Sequence, residues 1–520
     1  MKKRHESDPA PGGSGALRKY LYATAAATGA AILITEILGA KMLAPYVGTS
    51  HFVWTAQIGV TLVALSAGYV AGGWLADRSG RLAWMYGGIL GAAAWLAGAA
   101  LVCESIAFAA LRFPLAVGSL LAAAALFFVP LALLAMVGPF CVRRLTQTVG
   151  EVGLTMGRLT GLSTLGSVAG TGLISYVLIP HFPNHITLIA TAAFLAMLAI
   201  AYFLLWERRQ KGAALTGATG TVLLIALAAT QRPFASVPGF RELYRCNSNF
   251  GLMQVVETES GSRRFFFNDL LNQNGYEPAR QRSASLFTYL LHGLARAYHP
   301  EIRSALCIGL GVGIVPMQLA REGAEVDVVE INPAVVPLAQ KYFDFDPSRV
   351  RVHIADGRYY LHAATRKYDV VVLDAFLGES PPSHLMSREA FQSLQQRLEP
   401  GGLLVMNTFA DFAPGRDYFA ASLYKTLVSV FRSVRIHGAS NGNVFYVASD
   451  DPALALRQPM DLKDLPPDIE WAAEQTVRSV VEPSPHRGEI LTDRYNPVDF
   501  RDAPNREELR RRLALSYRSP

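Results

Sequence analysis

Ser304-Ala-Leu-Cys-Ile-Gly-Leu-Gly-Val-Gly313, followed by Val328-Val-Glu-Ile331, decides how the second half of this chain folds. An apolar run that breaks into Gly309, Gly311 and Gly313 reads as a strand entering a turn tight enough for backbone to approach a ligand. Glu330 then ends the next apolar run, 17 residues beyond Gly313, where a second parallel strand sets a carboxylate against two ribose hydroxyls. A glycine triplet alone serves packing in many strand-to-helix turns. Joined to Glu330, it predicts a nucleoside site.

Downstream of this turn the pattern alternates. Strands are expected at 325–330, 350–354, 368–373 and 402–407, separated by helices at 333–343, 359–364, 387–398 and 417–431, with a helix over 283–297 leading in. Such alternation predicts a Rossmann-like, mostly parallel α/β sheet covered on both faces. Strands at 433–437 and 443–448 flank Ala439-Ser-Asn-Gly442, a hairpin signal that adds an antiparallel edge. Glu330, Asp356 and Asp374 all fall at or just past strand ends, the rim where open α/β sheets bind ligands. Any one of them could be a plain helix cap. Three at matching positions point to one crevice, with Asp356-Gly357 suited to an adenine amino group and Asp374 placed where a reacting amine meets the cofactor.

Upstream, Leu252–Val256 and Arg264–Phe267 alternate between turn residues and predict a small antiparallel β-subdomain or lid. Before it the character changes. Apolar residues are concentrated in the first 230 positions, and seven segments approach the ~20 helical residues a bilayer core requires: 20–40, 53–75, 84–102, 115–137, 159–178, 186–206 and, least clearly, 215–230. The N-terminal half is therefore read as a polytopic α-helical membrane domain of six or seven spans. Gly68 with Gly72, and Gly166 with Gly170, have the spacing that lets helices approach closely in lipid. Glu36 is the one acid well inside a span, and pairing with Lys41 weighs as much as a substrate path.

The short loops carry 13 Lys and Arg on the side of the N-terminus, from Lys2 to Lys211, against Lys41 and Arg112 on the other. This positive-inside asymmetry places the N-terminus in the cytoplasm. An odd number of spans sends the C-terminal domain outside, away from the cytosolic nucleoside pool, so segment 215–230, rich in Gly, Thr and Ala, is expected to be re-entrant or interfacial. The expected location is the cell inner membrane, multi-pass, with a cytoplasmic C-terminal domain. The same loops and the basic tail account for the net charge of +7, so no nucleic-acid partner is implied. Cys103, Cys141, Cys246 and Cys307 have neither metal-ligand nor disulfide spacing, and no metal is expected. The expected units are 1–230 (helix bundle), 241–282 (β-subdomain), 283–450 (Rossmann-like domain) and 451–520 (C-terminal extension).

At this point the chain resembles a known family. Residues 241–449 are similar to the spermidine synthase (polyamine aminopropyltransferase) fold, related to class I methyltransferases, and residues 20–210 resemble the truncated major-facilitator-like bundle fused to such domains in bacteria. The anchors are Asn268–Gln273, Ile308–Gly313, Val329-Glu-Ile-Asn332, Asp356-Gly357, Tyr368–Asp374 and Leu398–Gly402, with the loop Ala76–Arg81 for the bundle. The resemblance implies that Gly309, Gly311, Gly313, Glu330, Asp356 and Gly357 bind decarboxylated S-adenosylmethionine. It also implies that Asp374 orients an amine nucleophile and helps accept its proton, and that Gln273 lies on the side of a small amine substrate.

Three positions depart from the family. Val312 stands where an acid binds the aminopropyl ammonium, Leu377 where a second acid holds the diamine, and Leu286-Phe287-Thr288 replaces a Tyr-His-Glu triplet. Glu379 is a candidate to compensate for one lost acid. Three functions follow: a membrane-tethered aminopropyltransferase, a methyltransferase-like enzyme using S-adenosylmethionine, or a transport or sensing protein that binds a nucleoside or polyamine without turnover. Besides the amine, the lipid bilayer is the expected partner, and the pattern is compatible with a homo-oligomer.

Overall fold

A computed structural model describes residues 15–48, 51–146, 148–207, 211–230, 239–376, 378, 381–438, 442–461, 465–481 and 487–516. The chain divides into two compact units, Met1–Ala235 and Ser236–Pro520.

The first unit is a helix bundle. Among the described residues six helices are long and apolar enough to cross a membrane: Gly15–Val47, Phe52–Ser79, Leu82–Ala110, Leu115–Leu145, Val149–His181 and Asn184–Leu205. Two of them widen into π-helical turns, Ala124–Phe128 and Ile174–Leu178, just before Pro130 and Pro180. Proline lacks the N–H and crowds the carbonyl four residues back, and the wider turn relieves both. The small-residue spacing does what it predicts. A Cβ on Gly68 would lie 2.2 Å from the Ala132 carbonyl oxygen, and one on Gly166 would lie 2.0 Å from that of Ala26, so these helices touch backbone to backbone.

The seventh apolar segment is helical throughout. Lys211–Thr230 is one uninterrupted helix packed along the third and sixth helices. A Cβ on Gly217 would meet Leu90 Cδ2 at 3.5 Å and one on Gly98 would meet Leu224 Cδ2 at 3.9 Å, so the seventh helix runs parallel to the third. Its glycines and threonines weaken hydropathy, but Thr216, Thr219 and Thr221 return their hydroxyls to carbonyls four residues back. That is how a Thr-rich helix stays satisfied in an apolar setting.

The second unit starts with an antiparallel meander, β1 (Phe240–Ser248), β2 (Gly251–Thr258), β3 (Arg264–Asn268), β4 (Leu271–Glu277) and β5 (Arg282–Ser283), paired in chain order. After the helix Leu286–Tyr298 come β6 (Ser304–Ile308), β7 (Glu325–Glu330), β8 (Arg351–Ile354), β9 (Tyr368–Leu373), β10 (Leu398–Phe409), β11 (Ser433–Gly438) and β12 (Asn443–Ser449). They form a seven-stranded sheet in the order β11-β12-β10-β9-β6-β7-β8. β10, β9, β6, β7 and β8 are parallel, while β12 lies antiparallel between β10 and β11.

Strand periodicity explains why the sheet is covered twice. Ala305 and Cys307 enter one buried cluster while Leu306 and Ile308 enter another on the opposite face, and Val370 and Val372 separate from Val371 and Leu373 in the same way. Chain order reverses between β6 and β9, and this switch point opens a crevice at the C-terminal strand ends.

Candidate active site

The crevice is built on the turn after β6. Gly309, Gly311 and Gly313 all have positive φ, at +98°, +55° and +87°. A Cβ on Gly309 would sit 2.3 Å from the Asp374 carbonyl oxygen, so only glycine allows the two strand ends to meet. A Cβ on Gly311 would come within 2.8 Å of Asn274 Oδ1, which brings β4 of the small sheet over the turn. The seam is closed by the Asp374 N–H, which donates to the Ile308 carbonyl at 2.9 Å, and the Gly309 N–H, which donates to Val329 at 2.8 Å.

On the β7 side, Glu330 is 9% exposed and its two oxygens accept from different backbone donors. Oε2 takes the Leu310 N–H at 3.0 Å and Oε1 the Asn332 N–H at 2.8 Å. Burial raises its carboxyl above the usual range while these N–H groups pull it down. The Asn332 amide in turn donates to Ser248 Oγ at 3.1 Å, tying the small sheet to this loop. A carboxylate has about four acceptor positions, so Glu330 keeps capacity for two hydroxyls.

Asp356 is at the rim, and it is also a helix cap. Its Oδ1 accepts from Arg358 and Tyr359 N–H at 2.9 and 3.1 Å, and its Oδ2 lies 3.0 Å from His384 Nε2. Gly357 is set by packing, since a Cβ there would press to 2.7 Å against Ile308 Cγ2. Asp356 follows the end of β8 and Gly357 packs on Ile308 of β6, with Asp356 more fully engaged by protein groups than its sequence position implies.

Asp374 differs from both. It lies deep in the domain yet keeps part of its surface open, and burial lifts its carboxyl from the aspartate range to about 6, with the Asn407 amide pulling the other way. Asn407 Nδ2 donates to Oδ1 at 2.9 Å. A carboxyl raised toward neutrality at a strand end, with part of its surface open, suits proton acceptance. Gln273 is the extra residue of a β-bulge, where Phe266 pairs with Asn274 and Phe267 with Asn272. Leu377 and Glu379 lie outside the described residues. Val312 is 1% exposed and belongs to the apolar core beneath the turn.

Sequence reasoning passed over Asn274, His384 and Asn407. Asn407 carried a signal, a polar residue ending a buried strand beside the one that ends in Asp374; the other two are brought in by packing alone.

The strand order, the glycine turn and the acid closing β7 define a Rossmann-like domain of the methyltransferase and spermidine synthase type. Residues 286–435 match the spermine/spermidine synthase domain family. The chain is 40% identical over 153 residues to a polyamine aminopropyltransferase of Vibrio vulnificus, covering 28% of this chain and 50% of that protein. It is 30% identical over 228 residues to a probable polyamine aminopropyl transferase of Bifidobacterium longum, covering 39% and 50%. An N-terminal histidine N-methyltransferase of Emericella nidulans is 31% identical over 150 residues, covering 28% and 26%. These relatives are transferases by name, and the chain spans about half the length of the two aminopropyltransferases.

Proposed function

We propose that the 236–520 unit transfers an aminopropyl group from decarboxylated S-adenosylmethionine to a small amine, anchored to a bilayer by the preceding helices. The observation that carries this is Asp374, a deep but accessible carboxylate held near neutrality at the switch point, touching the glycine turn through Gly309. The domain match over 286–435 supports the same reading.

The residues present fit an adenosyl sulfonium compound. Glu330 has acceptor capacity for the ribose, the glycine turn admits close approach, and Asp356 stands at the rim for the adenine, shared with its helix and His384. When bound, the sulfonium supplies a good leaving group. The protein is then left with two tasks, to hold the amine in line and to receive its proton. Asp374 receives that proton as the new N–C bond forms and the C–S bond breaks, its electron pair leaving with a neutral thioether.

A second reading has its own support. Val312, buried in the core beneath the glycine turn, supplies no acid for an aminopropyl ammonium, and one relative is named as an N-methyltransferase. Purified protein offered both cofactors and a panel of amines separates the readings by product mass. Aminopropylated amine with a thioether lacking a carboxylate supports transfer as proposed. Methylated product overturns it in favour of methyl transfer, and binding without product leaves a nucleoside-binding protein.

We further place the bundle in the cell inner membrane as a multi-pass anchor of truncated transporter-like type, with the 236–520 unit in the cytoplasm where adenosyl sulfonium compounds are made. Six long apolar helices and the loop charges support the anchor. The seventh helix supports the opposite side for the domain, because it runs parallel to the third and, at about 30 Å, is long enough to add a crossing. A cysteine at exposed Ser260, with Cys103, Cys141, Cys246 and Cys307 replaced, decides between them. Labelling of intact cells by an impermeant reagent removes the cytoplasmic placement; labelling only after permeabilisation removes the seventh crossing.

A further inference from the structure

Asp374 is held by more than one residue. Asn407 Nδ2 donates to its Oδ1 at 2.9 Å, and Asn443 Nδ2 donates to Asn407 Oδ1 at 2.8 Å. Asn407 is 3% exposed and Asn443 is 5% exposed, and they lie on neighbouring strands, β10 and β12. An isolated asparagine can present either end of its amide. Here the donor from Asn443 occupies the oxygen of Asn407, so the NH2 end must face the carboxylate. The flipped amide would set its oxygen against Asp374 and an NH2 against another NH2, with two hydrogen bonds lost inside a buried strand pair.

We propose that Asn443 and Asn407 form a two-amide brace that presents the Asp374 carboxylate to the reacting amine in one orientation. They are positioning residues, resting on the transfer reading above. The brace engages one oxygen only, so Oδ2 is left for the proton of the nucleophile. Neither amide gives up or takes a proton at ordinary pH, which makes the pair a fixed dipole rather than a proton wire. A fixed donor at Oδ1 favours the ionised carboxylate against the pull of burial, and this keeps a deep aspartate usable as a base. Among the described residues the titratable side chain that shares its field is Cys307 on β6, whose thiol is pushed up by burial and by the Asp374 charge. β10 and the glycine turn contribute an amide and backbone.

The test uses the full-length protein in detergent with Asn407→Leu and, separately, Asn443→Leu. The first removes the donor; the second leaves it in place but unoriented, and serves should the first variant fold poorly. Infrared titration follows the carboxylate band that disappears in Asp374→Asn, so the reading does not depend on activity. The midpoint should rise by about one to two pH units in Asn407→Leu, the size expected for a hydrogen bond to a charged group, and by less in Asn443→Leu. The acid limb of the rate profile should move up with it, while affinity for the thioether product holds. Unchanged midpoints in both variants, or a rate loss equal at every pH, would overturn the brace. Shifted midpoints in a protein that transfers nothing to any amine would keep the brace and sink the transfer reading instead.

Discussion

The two sides of the crevice handle their acids in opposite ways. On the β7–β8 side, Glu330 gives each oxygen to a backbone N–H, and Asp356 spends its oxygens on a helix N-terminus and His384. On the β9–β10 side, Asp374 has one described donor, the Asn407 amide. A carboxylate anchored through both oxygens is fixed in one orientation, good for holding a ligand whose charge does not change. One with a single described donor retains an oxygen for chemistry; burial raises both Glu330 and Asp374, but backbone N–H groups oppose the rise at Glu330 where one amide opposes it at Asp374. In the proposed reading the contrast separates binding from reaction on either side of β6, and the Gly309 turn is where the two sides meet.

Replacing Gly309 with alanine strikes both sides and should have the largest effect. A positive φ and a contact of 2.3 Å between the new Cβ and the Asp374 carbonyl oxygen leave no relaxed position, so the domain should lose ~3 kcal/mol or more. A thermal unfolding scan in detergent reads this as a lowered transition for the second unit; an unchanged one would show that the two strand ends are not locked together.

Asp374→Asn isolates the reactive side. Turnover should fall by roughly 10²–10⁴ with cofactor affinity little changed, measured by steady-state rates alongside calorimetry. The same variant should be more stable than the native protein at pH 8. The folded carboxyl titrates at about 6, above its unfolded value of ~3.9, so the folded state holds this proton more tightly. Stability from this group is therefore present below pH ~4 and lost as pH rises through 6. The asparagine gain, ~1–3 kcal/mol, should be full at pH 8 and fade as pH falls from 6 to 4. A gain that grows on acidification would contradict the assignment.

Glu330→Ala tests the binding side. Removing the acceptor for two ribose hydroxyls should weaken binding of an adenosyl thioether by ~2 kcal/mol or more, about 30-fold. Because Leu310 and Asn332 N–H groups also lose their partner, Glu330→Gln is the cleaner comparison. Unchanged affinity in both variants removes Glu330 from the site.

Asp356→Ala should show the smallest effect. Loss of a cap that accepts from Arg358 and Tyr359 is worth about 1 kcal/mol of stability, with affinity falling only modestly. A tenfold or larger loss of affinity without destabilisation would mean that Asp356 belongs with the ligand rather than with its helix, and would narrow the contrast between the two sides.

Most of the secondary structure was legible in the residues. β7 and β9 match their expected bounds, and the helix expected at 283–297 runs from Leu286 to Tyr298, because apolar period and glycine placement are local signals. For segment 215–230 the residues left its course open for the converse reason. Weak hydropathy is a property of its residues, whereas its course along the third helix comes from packing at Gly98 and Gly217.

What the sequence by itself determined is the alternation of strands and helices, the glycine turn, and the placing of Glu330, Asp356 and Asp374 at the ends of strands. Each depends on neighbours within a few residues. Only the tertiary structure decided what those acids do. Asp356 became a cap shared with His384, 28 residues away, and Asp374 acquired a donor 33 residues away that is itself oriented by one 36 residues further on. A carboxylate's availability is set by which donors reach it through a buried sheet, and strand order, which no local pattern encodes, determines that.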